Sequence, residues 1–385
     1  MRRPIPLAWL QLAREPLRLT VVVAGVAFAV VLILMQLGFR EALFESSVRY
    51  HQALDYDLAL LSPKMQFIGL PQSFSRRRLY QVRGYEGVAA VTPVYLGLHV
   101  WKNPDDPSRM RLIFAVGIDP SRDVLNVPGI DEHWHRVKLA DFVLYDRASR
   151  PEFGSVAARF EAGERVMTEL GDRRIEVAGL FDLGTSFGID GSVITSDLNF
   201  LRLFPDRSPG AIDLGLVKLE PGVDPDALRD AIAAGIPRDV EVLTRADFIA
   251  REKNYWNENT PIGFIFLFGV IMGLAVGGII VYQILFSDVS EHLREYATLK
   301  AMGYTNAYLF FVVLQESVIL AFLGYVPGVV VTLGLYSVSA AATSFPLRLT
   351  AARAIFVLVL TVAMCCISGA MALRKVRSVD PAEVF

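Results

Sequence analysis

The chain has 385 residues, 53% of them apolar, and 38 Lys plus Arg against 40 Asp plus Glu give a net charge of −2. That balance excludes the strongly basic face that nucleic-acid binding requires. The charges are segregated: residues 40–260 hold 27 basic and 33 acidic side chains and the flanks hold 11 and 7, so an acidic soluble domain lies between apolar, basic-fringed ends.

Residues 1–18 set Trp9, Leu10, Leu12 and Leu17 among Gln11, Arg14 and Arg18, the pattern of an amphipathic helix lying in the cytoplasmic headgroup layer, the alternative being a frayed basic tail that only fixes topology. Residues 19–39 carry no charge and meet the roughly 20-residue length of a membrane span. This run exceeds the roughly 7–15 apolar residues of a signal peptide. Phe39-Arg40-Glu41-Ala42 also offers no small-x-small cleavage site, so the segment reads as a retained anchor.

Residues 40–260 read as an inserted α+β extracytoplasmic domain. Phe39, Leu43, Phe44, Val48 and Tyr50 recur at near-helical spacing, as do Phe248, Ile249, Tyr255 and Trp256, so stalk helices are expected at both edges. Residues 57–61, 88–94, 111–117, 174–180 and 214–219 are strand-like, and 224–234 reads as a helix starting at Asp224 or Pro225. Two lobes are expected, with a boundary within 120–150. His133-Trp134-His135 would put two imidazoles on one face of a strand, but lacks a third ligand, so surface residues are the simpler reading. Arg76-Arg77-Arg78 reads as a solvated turn.

Three more spans follow, making four. Residues 261–286 are uncharged and carry Gly269, Gly273 and Gly277, overlapping small-xxx-small steps that let another helix approach closely, within the bundle or across a dimer. Residues 309–342 are too long for a roughly 30 Å core, so the bilayer part is set near 317–340 with Glu316 at the cytoplasmic headgroups. Pro327-Gly328 is expected to bend this helix. After a short outer loop, 343–353, the fourth span covers 354–373 and contains adjacent Cys365 and Cys366, whose helical divergence disfavours a bridge. A basic tail, 374–385, ends the chain.

Basic residues set the orientation. Arg2, Arg3, Arg14, Arg18, Arg294, Lys300, Arg374, Lys375 and Arg377 fall on one side, with Arg348 and Arg353 in the short loop on the other. Both termini are therefore expected in the cytoplasm and residues 40–260 outside the membrane.

No G-x-x-x-x-G-K-[ST], H-E-x-x-H or C-x-x-C run occurs, and no catalytic, cofactor-binding or metal-binding residues are expected. The informative segment is the cytoplasmic loop, 287–308. Val289, Leu293, Tyr296, Leu299 and Met302 recur every three or four residues, and Gly303 is placed to end the helix. An amphipathic helix of this kind suits a groove on a partner protein, or a resting place on the membrane surface.

Glu295-Tyr296-Ala297-Thr298-Leu299-Lys300-Ala301-Met302-Gly303 resembles the R-E-x-A-x-L-K-A-x-G signature of the MacB/FtsX-type ABC permeases. The order of one span, a large outer domain and three spans resembles that family throughout, as does the ending Ser378-Val379-Asp380-Pro381-Ala382-Glu383. Phe181-Asp182-Leu183-Gly184-Thr185-Ser186-Phe187-Gly188, the run from Asp190-Gly191 to Phe200, and Tyr296 resemble its DevC branch, which is implicated in heterocyst glycolipid export.

The resemblance implies a type VII, MacB-like architecture and a permease subunit of a tripartite exporter in the plasma (inner) membrane. A separate ATPase subunit would bind and hydrolyse the ATP. Glu291, Arg294, Glu295, Tyr296, Leu299, Lys300, Met302 and Gly303 would contact that ATPase and transmit its stroke to the periplasmic domain, a mechanism called mechanotransmission. Further implied partners are a periplasmic membrane-fusion adaptor, an outer-membrane TolC-like channel, membrane lipids and a second copy of the chain. The alternative is an FtsX-like signal transmitter acting on a cell-wall hydrolase; a third reading is a membrane-anchored sensor with no ATPase.

Overall fold

The computed structural model describes residues 16–291, 298, 302, 305–343 and 347–377. The chain divides into two units: a membrane unit formed by residues up to Ala42 and those from Pro261 onward, and an outer unit, Leu43–Thr260.

In chain order the elements are α1 (Pro16–Ser47), α2 (Arg49–Ala53), β1 (Leu58–Leu61), β2 (Phe74–Ser75), α3 (Arg76–Val82), β3 (Val88–Lys102), β4 (Met110–Ile118) and β5 (Phe142–Asp146). There follow α4 (Val156–Glu161), β6 (Met167–Leu170), β7 (Arg173–Phe181), β8 (Ser192–Ser196), α5 (Asp197–Leu203), β9 (Ala211–Ile212) and β10 (Leu214–Leu219). The last are α6 (Pro225–Gly235), β11 (Glu241–Thr244), α7 (Arg245–Glu258), α8 (Ile262–Glu291), α9 (Asn306–Thr343) and α10 (Ala351–Arg377).

Nine strands of the outer unit form one mixed sheet in the order β11-β1-β10-β3-β4-β8-β5-β7-β6. β6 also pairs back onto β3 at Leu170–Trp101, closing a ring of six strands. Inside it Trp101, Tyr145, Phe153 and Val193 are buried, and the Trp101 indole donates to the Phe153 carbonyl at 3.0 Å. A second core on the opposite face gathers Phe114, Leu144, Ile194 and Phe248. The sheet is continuous and the outer unit is a single body, which corrects the two-lobe expectation. Residues 120–150 contribute β5, a central strand, rather than a boundary.

Local signals in the sequence decide several elements. Asp224 caps α6 by accepting from the Asp226 N–H at 3.0 Å, with Pro225 in the first turn, where its missing N–H costs nothing. Thr244 and Asp247 cap α7 reciprocally, at 3.1 and 2.8 Å. Two expectations are corrected. Arg76 opens α3 rather than a turn, and Arg78 forms a forked pair with Asp239 at 3.0–3.1 Å. Trp134–Lys138 is a 3-10 turn rather than a strand, so the strand geometry that would put His133 and His135 on one face is absent.

The membrane unit has four helices long and apolar enough to cross a bilayer: Pro16–Ser47, Ile262–Glu291, Phe310–Ala341 and Ala351–Leu373. Their outward faces are apolar, with Phe264, Phe268, Val326, Val330, Phe356 and Val359 all more than half exposed, as a lipid surround requires. Small residues lie inside. A side chain at Gly269 would run into Gln36, one at Gly273 into Ile33, and one at Gly277 into Ala29 and Met364. The glycine ridge of α8 thus lies against α1, within the bundle. Gly324 and Gly328 on α9 approach Val26 and Val30 of the same helix, so α1 receives small-residue faces from two neighbours.

Glu316 is turned into the bundle rather than outward. Val313, Glu316, Ser317 and Leu320 share one face of α9 by helical period and are all buried, Glu316 at 1% exposure. α9 remains one helix through Pro327. Cys365 and Cys366 are both free thiols.

Overpacking at the α1–α9 contact gives a test. A methyl at Gly324 would come within 2.5 Å of Val26 Cγ1, whereas Gly334 has nothing within 4 Å. Gly324→Ala should therefore cost about 1–3 kcal/mol and lower the melting temperature of the detergent-solubilised chain by a few degrees. Gly334→Ala should leave the melting curve in place.

Candidate functional site

The C-terminal end of α8 is braced from α1. Arg18 Nη1 donates to Glu291 Oε2 at 3.1 Å, and its Nη2 donates to the Ile284 carbonyl at 2.8 Å. Ser287 Oγ donates to the other Glu291 oxygen at 3.0 Å. A cation near the last turn of a helix also opposes the negative end of its dipole. The Glu291 side chain is 57% exposed, so the pair itself is worth at most about 1 kcal/mol. Its use is positional: it fixes where α8 ends and the following segment begins.

Of the residues expected to meet an ATPase, Glu291 and Met302 are described. Arg294, Glu295, Tyr296, Leu299, Lys300 and Gly303 lie outside the described residues. Met302 is 63% exposed and its N–H donates to the Thr298 carbonyl at 3.0 Å, one helical turn. Val289, at the other end of the expected apolar stripe, is fully buried and belongs to the packed face of α8 with Val281 and Leu285. Helix α8 extends to Glu291 and α9 starts at Asn306, so the loop expected over 287–308 is shorter at both ends.

At the other end of the bundle Arg353 gathers three helices. It pairs with Glu41 of α1, donates to the Arg348 carbonyl at 2.9 Å, and lies 3.4 Å from the Tyr336 hydroxyl of α9. Tyr336 donates to the Leu34 carbonyl at 2.5 Å. An open apolar groove of about 520 Å³ runs between α8 and α10, lined by Ile271, Gly278, Tyr282, Leu360, Met364 and Ile367 among others.

In the outer unit, α2 and α7 meet around a buried carboxylate. Glu252, 2% exposed, takes the Ile68 N–H at 2.9 Å and the Trp256 indole at 3.3 Å. His51 Nε2 lies 3.3 Å from the same carboxylate, and its Nδ1 lies 3.2 Å from the Tyr56 hydroxyl. A neutral imidazole donating to Glu252 and accepting from Tyr56 satisfies every group. Burial, partly offset by nearby Arg245, raises the Tyr56 hydroxyl above its ordinary value and keeps it protonated. Arg245 donates to the His51 carbonyl at 3.1 Å and lies over the Tyr56 ring.

A second buried carboxylate organises the loop after β7. Asp146, 1% exposed, accepts from the N–H groups of Ala148, Leu183 and Gly184 at 2.9–3.2 Å and from Ser192 Oγ at 3.3 Å. Burial pushes its carboxyl above the usual range, and these hydrogen bonds pull it back. Arg49 of α2 donates to the Thr185 carbonyl of that loop at 2.8 Å.

Among the described residues no three His, Cys, Asp or Glu side chains group as metal ligands would. The arrangement braces helices and loops against one another.

Sequence reasoning missed Arg18, Glu41, His51, Glu252, Gly324 and Arg353. Two had readable signals. Glu252 lies four residues from both Phe248 and Trp256, on an otherwise apolar stripe. Gly324 and Gly328 form a small-xxx-small step like the one on 261–286.

Residues 266–381 match the family model described as FtsX-like permease C-terminal. That portion of the chain is similar to the C-terminal domain of FtsX-like permeases, and the match supports an ABC-transporter permease of that kind. The four apolar helices with an inserted sheet-rich domain fit the type VII architecture. No curated protein matches the chain. Among solved structures, the extracellular domain of the noncanonic ABC-type transporter YknZ from Gram-positive bacteria is similar at 12% identity. The likeness covers 49% of this chain and 98% of that one, with a TM-score of 0.34. The periplasmic region of MacB from Actinobacillus actinomycetemcomitans is similar at 10% identity over 55% and 98% of the two chains, with a TM-score of 0.35.

Removing the Glu252 carboxylate strands three buried donors at once. Glu252→Ala should cost about 3–5 kcal/mol, the price of breaking a buried charged network, read as a fall in the denaturation midpoint of the full chain. Glu252→Gln keeps an acceptor for the Ile68 N–H and should cost clearly less. Equal midpoints for Glu252→Ala and the wild type would show that the network does not hold the junction.

Proposed function

We propose that this chain is the permease subunit of a tripartite ABC exporter, turning ATP hydrolysis by a separate ATPase into movement of its outer unit. The observation that carries the reading is the FtsX-like permease match over residues 266–381, which includes the segment Glu295–Gly303. The chain has no phosphate-binding loop of its own, so force must reach it from a nucleotide-binding neighbour.

On this reading the segment 292–304 docks on the ATPase, with Tyr296, Leu299 and Met302 as apolar anchors and Arg294, Glu295 and Lys300 orienting them. The exposure of Met302 and the bracing of Glu291 by Arg18 support this, because a lever needs a free face and a fixed base. A periplasmic adaptor, a TolC-like channel and a second copy of the chain complete the assembly. The cargo is a lipid, a glycolipid as in the DevC branch, or another hydrophobic molecule, and both termini are cytoplasmic. The same family match supports a second reading, an FtsX-like transmitter that switches a periplasmic partner such as a cell-wall hydrolase without moving cargo.

Leu299→Asp or Tyr296→Asp should reduce the ATPase co-purifying with the chain at least about tenfold, since a buried charge at an interface costs several kcal/mol. Undiminished co-purification in both variants would reject the coupling role. Membrane-impermeant amine labelling of Lys300 should succeed only after the cytoplasmic face is opened.

A further inference from the structure

The outer unit carries an aromatic cluster that neither the coupling role nor the sheet core uses. Phe67 stacks on Tyr255 with ring centres 4.5 Å apart and meets Trp256 edge-on at 5.1 Å. Phe187 meets Trp256 edge-on from the other loop, also at 5.1 Å. A side chain at Gly188 would touch both Trp256 and Phe67, at 3.2 and 3.4 Å, so glycine lets the two loops close on the rings. Beyond this packed base the tips stand out: Phe187 is 43% exposed and Leu70 49%.

These tips are held, not loose. Glu252 fixes the Ile68 N–H, Arg49 and Asp146 fix Gly184 and Thr185, and Ser186 and Ile189 close a tight turn around Phe187. Held side by side on the aromatic base, the two tips present an apolar surface that an interfacial surround would cover.

Chain connectivity says which surround is near. Trp256 lies in the last turn of α7, Asn259 caps it, and α8 begins at Ile262. Thr260 Oγ1 donates back to the Trp256 carbonyl at 2.6 Å. One helical turn plus three residues of chain spans at most about 15 Å. The cluster is therefore tethered within reach of the headgroup layer, the region where aromatic side chains with one apolar and one wet end concentrate.

We propose that loops 65–70 and 183–189 form an apolar lip that beds in the headgroup layer of the outer-facing leaflet. Its partner is the lipid surface itself, touched by Leu70 and Phe187 over the Phe67–Tyr255–Trp256 base. The inference rests on α8 spanning the membrane and not on the exporter reading.

The test uses the full chain with Cys365 and Cys366 replaced, in nanodiscs of phosphatidylcholine and phosphatidylglycerol. A spin label is placed by Phe187→Cys, by Leu70→Cys, and by Met110→Cys or Leu198→Cys as exposed controls. The ratio of collision rates with oxygen and with a water-soluble nickel chelate should be at least threefold higher at 187 and 70 than at the controls. An aqueous ratio at either lip position overturns the proposal. So does dipolar broadening at 187 that vanishes on dilution with unlabelled chain, which would mean that a second copy covers the tips. ATPase coupling does not enter this measurement, so its failure leaves the lip result standing.

Discussion

A single buried carboxylate fixes the geometry of the outer unit where the chain leaves and rejoins the membrane helices. Glu252 has almost no contact with water, so its charge is tolerable only with hydrogen-bond donors around it. Those donors come from three places: His51 on the outgoing helix, Ile68 in a loop, and Trp256 one turn along its own helix. No one of them can move without stranding the charge. Asp146 repeats the device, drawing the loop at 183–184 inward while Arg49 ties the next residue to the outgoing helix. Two carboxylates thus set two loops, and the loops set the aromatic rings that rest on Trp256.

The membrane unit is held by the opposite chemistry. Lipid offers no hydrophobic drive between helices, so close approach of backbones must supply the packing. Glycines on α8 and α9 let both helices lie against α1. The polar braces then fall at the two ends, where charges are affordable: Arg18 with Glu291 on one side and Arg353 with Glu41 on the other. The bundle is thus packed through its middle by small residues and pinned at its ends by charge pairs.

The legibility of these features in the sequence follows from their physics. The four spans were readable because about 20 uncharged residues leave few alternatives. The glycine ridge at 269, 273 and 277 was readable for its spacing, though the identity of its neighbour, α1, needed the structure. Strands β5, β6 and β8 were not readable. Ser192–Ser196 is buried on every residue and so lacks the alternation that marks a half-exposed strand, and β6 is only four residues long. The inward turn of Glu316 was not readable, because a lone charge in an apolar run suggests snorkelling, yet its helical phase sets it with Val313 and Leu320. The junction network could not be read, since His51 and Glu252 are 201 residues apart and only the β1–β11 pairing brings their helices together.

The two connections between the units differ in helical continuity. α1 is one unbroken helix from Pro16 to Ser47, about 48 Å at 1.5 Å per residue, well beyond a roughly 30 Å hydrocarbon core. It runs from the Arg18 brace past Glu41 to the first residues of the outer unit. The return connection is jointed. α7 ends at Glu258, Asn259 and Thr260 close its last turn, and Pro261 stands before α8, where a proline cannot extend the preceding helical hydrogen bonding.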